Sequence, residues 1–154
     1  MFGVLGCTPS GSGNTDQNQG QVNELTSLIE EYYKTMSNRN WPEYQEMFCE
    51  EGTLTTVWSD STGVERQIHT STIQDFVAST AEGPDSQPIF EERPLNIEVE
   101  VKGILANAWV RYEAKFGSKE SLMEWTGYDL FSFINHEGKW KIVSIVFAEE
   151  NSTK

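Results

Sequence analysis

Asp129 is the residue best placed to do chemistry. It stands inside the apolar run 125–134, where a carboxyl group has no structural reason to be unless something pairs with it. A carboxylate stripped of water holds its proton more tightly. It can then act as a general base near neutral pH or as a protonated hydrogen-bond donor. The competing account is structural: a bond to a neighbour such as Asn107 across the hairpin, or exposure near a sheet edge. Tyr112 is the second candidate. It alternates with Ala108, Val110, Ala114 and Phe116, so it points inward and can donate to a ligand oxygen, or simply sit in the core with its hydroxyl satisfied. Whether the two meet depends on register. If Gly117-Ser118-Lys119 is the turn, Arg111 faces Trp125, and Tyr112 and Asp129 fall on opposite faces; a one-residue bulge would reunite them.

Trp58, Trp109 and Trp125 are candidate walls for a flat aromatic ligand, with Tyr32 on the apolar side of the first helix. Core packing or subunit contact explains each tryptophan equally well, and Arg111 stacked on Trp125 would be a structural cation–π pair. His69 and His136 are the only histidines. His136 falls in a turn; His69 lies just before the third helix, where a pocket mouth or plain surface can sit. No serine elbow or phosphate-cradling glycine loop is present. The two cysteines, Cys7 and Cys49, form no cluster, so neither a zinc nor an iron–sulfur site is expected, nor any other metal or cofactor.

Positioning these residues falls to a helix-first, strand-last chain of 154 residues. Leu25, Leu28, Ile29, Tyr32 and Met36 predict a helix over 23–37. Asn40, Pro42 and Glu43 open a second over 41–48, and Ser71 with Gln74 a third through 80. A strand is expected at 53–58 and an extended piece at 66–69. From 95 to 148 four strands follow one another, at 95–102, 104–116, 120–134 and 139–148. Leu95, Ile97, Val99 and Val101 make the first of these one-sided. With Glu137-Gly138 as a two-residue turn, Phe133 pairs with Ile142, Phe131 with Ser144 and Asp129 with Val146. Tyr128, Leu130 and Ile134 then oppose Val143, Ile145 and Phe147 on the other face. Both faces of that hairpin are apolar. Helices cover one, and a second subunit is the natural cover for the other.

The net charge of −13 and the scattered Lys and Arg residues argue against nucleic acid as a partner. The paired acids, Glu91-Glu92 among them, read as solvated. Val4-Leu5-Gly6-Cys7 matches a lipobox, and 8–21 reads as a polar, disordered tether. The expectation is an exported periplasmic or cell-surface lipoprotein, lipidated at Cys7 and touching the membrane only through that anchor; without export it would be cytoplasmic. A folded domain then spans 22–150 and a disordered tail 151–154.

Three stretches carry a resemblance. They are Tyr33 through Asn40-Trp41 with Phe48, Gly103 through Ala108-Trp109-Val110, and Gly138-Lys139-Trp140-Lys141-Ile142-Val143. In their order and spacing, over about 22–150, the chain resembles the nuclear transport factor 2-like superfamily, closest to its polyketide-cyclase-like and lumazine-binding-like small proteins. The resemblance implies an α+β fold, a cone-shaped curved antiparallel sheet packed over about three N-terminal helices. It also implies a pocket between sheet and helices, and commonly a homodimer. Functions on this fold run from isomerases, dehydratases, cyclases and epoxide hydrolases to non-catalytic binding modules. The expected role is to bind a small apolar or aromatic ligand. The alternatives are a cofactor-free enzyme using Asp129, or a dimerisation domain.

Overall fold

Six strands share one curved, unclosed sheet. The computed structural model describes residues 13–59 and 66–150. Cys7 lies outside the described residues, as does the side chain of Trp58. The elements run α1 (Gly13–Ser37), α2 (Trp41–Glu46), β1 (Phe48–Ser59), β2 (Arg66–Thr72) and α3 (Ile73–Ala78). Two short 3₁₀ turns lead to β3 (Ile89–Lys102), β4 (Leu105–Gly117), β5 (Leu122–His136) and β6 (Lys139–Glu149). The strands lie in the order β2-β1-β6-β5-β4-β3, and all neighbours are antiparallel except β1 and β6, which run parallel.

The first helix starts earlier than its apolar spacing predicts, so 13–21 are helical and not a free tether. Asp16 to Gly20 are exposed, and the packed stretch begins at Leu25. Tertiary packing of that stretch nucleates the helix, and added turns then need only propagate. From Leu25, the residues Ile29, Tyr32, Tyr33 and Met36 are all buried and lie against the sheet with Phe131, Val110 and Ala108. The second helix is shorter than expected, since Phe48 and half-buried Cys49 already belong to β1. The third is capped one residue late, by Thr72, whose hydroxyl accepts from the Asp75 amide at 3.1 Å.

Three irregularities decide which residues face inward. The β4–β5 loop holds four residues, Ser118 to Ser121, closed by reciprocal backbone bonds between its two serines. Arg111 therefore pairs with Tyr128, not Trp125, and Tyr112 pairs with Gly127. The second is a bulge beside Ser132–Phe133. The predicted Phe133–Ile142 pair forms across the Glu137-Gly138 turn, but beyond it Phe131 pairs with Ile145 and Asp129 with Phe147. Ile145 and Phe147 thus turn inward, where Ser144 and Val146 were expected. The third lies in β3, which begins at Ile89 and bulges between Pro94 and Asn96. An edge strand tolerates a proline with no N–H to donate. The bulge leaves Leu95 39 % exposed, so only Ile97, Val99 and Val101 hold the inward row expected to start at Leu95.

Candidate functional site

The inner face of the sheet gathers carboxyl and phenol groups under α1. Asp129 on β5 is only 4 % exposed. Tyr33, one turn of α1 beyond Ile29, donates its hydroxyl to Asp129 Oδ2 at 2.5 Å. Cross-strand partners share a face, and so do residues two apart on one strand. Tyr112, opposite Gly127, therefore lies beside Asp129, and its hydroxyl is close to Trp125. Glu92 on β3 faces Ala114, the next inward residue of β4 after Tyr112. Its backbone is tied to the end of α1: the Glu92 amide donates to Ser37 Oγ, and that hydroxyl donates to the Glu92 carbonyl, both at 2.9 Å. Glu92 is half-buried as a residue, but its carboxyl group is turned away from water.

Burial sets the proton affinities. It pushes the Asp129 carboxyl up to about 7, and the bond from Tyr33, which favours the charged form, works against the rise. Glu92 lies well above the usual carboxylate range, first from burial and then from the charge on Asp129. Tyr33 and Tyr112 are raised above the ordinary phenol value by burial and next by Asp129. Near neutral pH the cluster thus holds one acid poised to change charge beside phenols that keep their protons. This arrangement can accept a proton from a ligand, or bind one that offers both a donor and an acceptor.

Two clefts lie near the cluster, neither of them lined by Asp129, Tyr33, Tyr112 or Glu92. One of about 610 Å³ lies between β1, β2 and α3, lined among others by Leu54, Thr56, His69, Phe76 and Phe147. Phe147 is the β6 partner of Asp129, so the cleft ends one strand short of the acid. The other, about 500 Å³, lies at the far end of β4 and β5 and is lined by Ala114, Trp125 and Glu149 among others. Its wall is more polar, with Glu113, Lys115 and Glu124 contributing.

The structure brings together Asp129, Tyr112 and Trp125, and puts His69, exposed on β2, in the wall of the larger cleft. Tyr32 is buried one residue from Tyr33, its hydroxyl 3.1 Å from that of Tyr44. Trp109 is not part of the site. Ala108 and Val110 take the inward positions of β4, leaving Trp109 52 % exposed on the outer face. Asn107 also faces outward, opposite Ser132, and is no partner for Asp129. Arg111 is separated from Trp125 by the sheet and binds Glu150 at 3.0 Å instead. Tyr33 and Glu92 were missed. Tyr33 was legible, since it continues the buried row Leu25–Ile29 at four-residue spacing. Glu92 carried no signal, because the strand that turns it inward starts ahead of the alternating stretch. Among the described residues no group of three or more His, Cys, Asp or Glu side chains is arranged to hold a metal ion.

Comparison with known proteins agrees with this architecture. A profile of the family described as "Putative lumazine-binding" matches residues 20–148. Among solved structures, a protein of unknown function from Mycobacterium tuberculosis aligns with TM-score 0.73 and 14 % identity, over 93 % of this chain and 80 % of its own. An NTF2-like protein with a cystatin-like fold from Novosphingobium aromaticivorans aligns with TM-score 0.69 and 14 % identity, over 94 % and 93 %. A protein described as a "putative scytalone dehydratase" from the same organism aligns with TM-score 0.68 and 16 % identity, over 88 % and 87 %. A search of curated proteins found no match. With the profile spanning most of its length and the sheet-over-helix fold in place, the chain belongs to this lumazine-binding-like family of the nuclear transport factor 2-like superfamily.

Proposed function

We propose that the chain is a binding module for a small apolar or aromatic molecule, held in the cleft that ends at Phe147 with the Asp129 cluster as its polar anchor. The observation that carries this reading is the adjacency of the two. An apolar-walled cleft of about 610 Å³ meets, through one aromatic side chain, a buried acid–phenol group. Mostly apolar walls with a few convergent polar groups are what small-ligand sites require. The family description and the dehydratase-like neighbour support the same class of ligand. Titration of the protein with lumazine, followed by ligand fluorescence, tests it. Saturable binding is expected, weakened about tenfold or more by Asp129→Asn. No saturable signal with lumazine or a flat aromatic ketone would remove the reading.

One observation favours a catalytic second reading. Burial pushes Asp129 up to about 7 beside the phenol of Tyr33, which suits a base that abstracts and returns a proton without a cofactor. Exchange of a bound ketone's α-protons in D₂O, lost in Asp129→Asn, would support catalysis; equal exchange in both proteins would refute it.

A second copy of the chain is the proposed cover for the outer face. That face exposes Trp109 (52 %), Tyr128 (42 %) and Val146 (48 %), with Val57 and Ile68 beside them. Native mass spectrometry should show a dimer that Trp109→Glu reduces to monomer. A monomer at every concentration contradicts it.

A further inference from the structure

Gly127 stands opposite Tyr112, midway along the inward row of β5 between Trp125 and Asp129. A Cβ at this position would fall 2.6 Å from both Cζ and the hydroxyl oxygen of Tyr112, and 2.6 Å from the carbonyl oxygen of Ala148 on β6. No real Cβ keeps such distances. The backbone of Gly127 is not in the left-handed region, so the position demands space and not glycine's conformational freedom. The ring of Tyr112 occupies that space. Its hydroxyl crosses onto β5, in contact with Trp125 and within the field of Asp129, Glu92 and Glu149.

We propose that Gly127 is a positioning residue: by carrying no side chain, it lets Tyr112 lie across β5 and hold its hydroxyl in the inward row next to Asp129. The proposal rests on the reading that this cluster anchors the ligand. Packing alone gives a competing reason for the pair, because an aromatic ring laid over a cross-strand glycine shields the bare backbone. Phenylalanine would serve that purpose as well as tyrosine.

Tyrosine labelled with ¹³C at Cζ tests the positioning role, with Tyr112→Phe used to assign the resonance. In the unaltered protein Tyr112 should stay protonated through the ordinary tyrosine range, about pH 10. In Gly127→Ala the ring is displaced toward water, and Tyr112 should titrate about one unit or more lower, while Tyr33 is unmoved. A Tyr112 that titrates in Gly127→Ala as it does in the unaltered protein overturns the proposal. If Gly127→Ala does not fold, the double variant with Tyr112→Ala decides: it should fold, because only Ala148 remains in the way. A double variant that fails to fold where Tyr112→Ala alone folds overturns the proposal. The positioning role and the anchor reading fail separately: if Tyr112 moves in Gly127→Ala yet Tyr112→Phe binds lumazine as well as the unaltered protein, the first stands and the second falls.

Discussion

Two carboxyl groups on opposite faces of the sheet behave in opposite ways. Asp129 is buried on the inner face with one phenol partner, and its pKa is raised to about 7. Glu150 sits on the outer face. It accepts from the Arg111 guanidinium at 3.0 Å and from the Thr126 hydroxyl at 2.5 Å, and its pKa is lowered below the usual glutamate value by those bonds. Arg111 and Tyr112 are adjacent in sequence, yet one serves the outer clasp and the other the inner cluster. The difference is solvation. Outside, water and a fixed cation favour the charged form at little cost. Inside, with no cation beside it, burial dominates the single hydrogen bond. An arrangement that stabilised only the fold would put the paired acid inside or leave the acid out. Here an acid with a phenol but no cation beside it among the described residues is enclosed, as in a site whose proton affinity is tuned for a task.

The largest effect belongs to Asp129. Its folded pKa of about 7 exceeds the ordinary aspartate value of about 3.9. Between those values the folded chain binds more protons than the unfolded one, so stability is greatest below about pH 4 and falls as pH rises to about 7. The total loss is on the order of 4 kcal/mol. Asp129→Asn should remove the Asp129 share of this slope, leaving only that of Glu92. At about pH 8 it should leave the protein more stable by about 2 kcal/mol, after allowing for an amide donor without an acceptor. Urea unfolding across that pH range measures both.

Next in size is Tyr33→Phe, which removes the one bond favouring ionised Asp129. The Asp129 pKa should rise above about 7. Stability at about pH 8 should fall by roughly 1.5–3 kcal/mol, and by less at pH values where Asp129 is protonated.

The smallest effect is expected outside. Glu150→Gln breaks a solvent-exposed pair, so it should lower the melting temperature slightly, and less so in high salt. The sign with pH is reversed. Because Glu150 is depressed in the fold, its contribution is present above the ordinary glutamate value of about 4.3 and lost as pH falls through the folded pKa. A Glu150→Gln loss that persists in strong acid or in molar salt would contradict the contrast.

The fold was readable because its signals are periodic. The helical row from Leu25 to Met36 and the alternation Ile97–Val101 survive any local shift of pairing. The site was only half readable because it depends on parity. A three-residue β4–β5 loop would part Tyr112 from Asp129, whereas the actual four-residue loop joins them. The Ser132–Phe133 bulge likewise decides that Phe147, not Val146, stands beside the acid. Serines in a turn and a bulge between similar apolar residues leave little compositional trace. Trp109 shows the reverse error. A large aromatic suggests a pocket wall, but its position in the pleat places it outside.

The central claim is that the inner face holds a buried acid poised near neutrality, and the ¹³C resonance of the Asp129 carboxyl, followed against pH and assigned with Asp129→Asn, tests it most directly. A midpoint near about 7 is predicted. Titration in the ordinary aspartate range, about 3.9, would contradict it, and would leave the cluster a structural feature with no proton to offer a ligand.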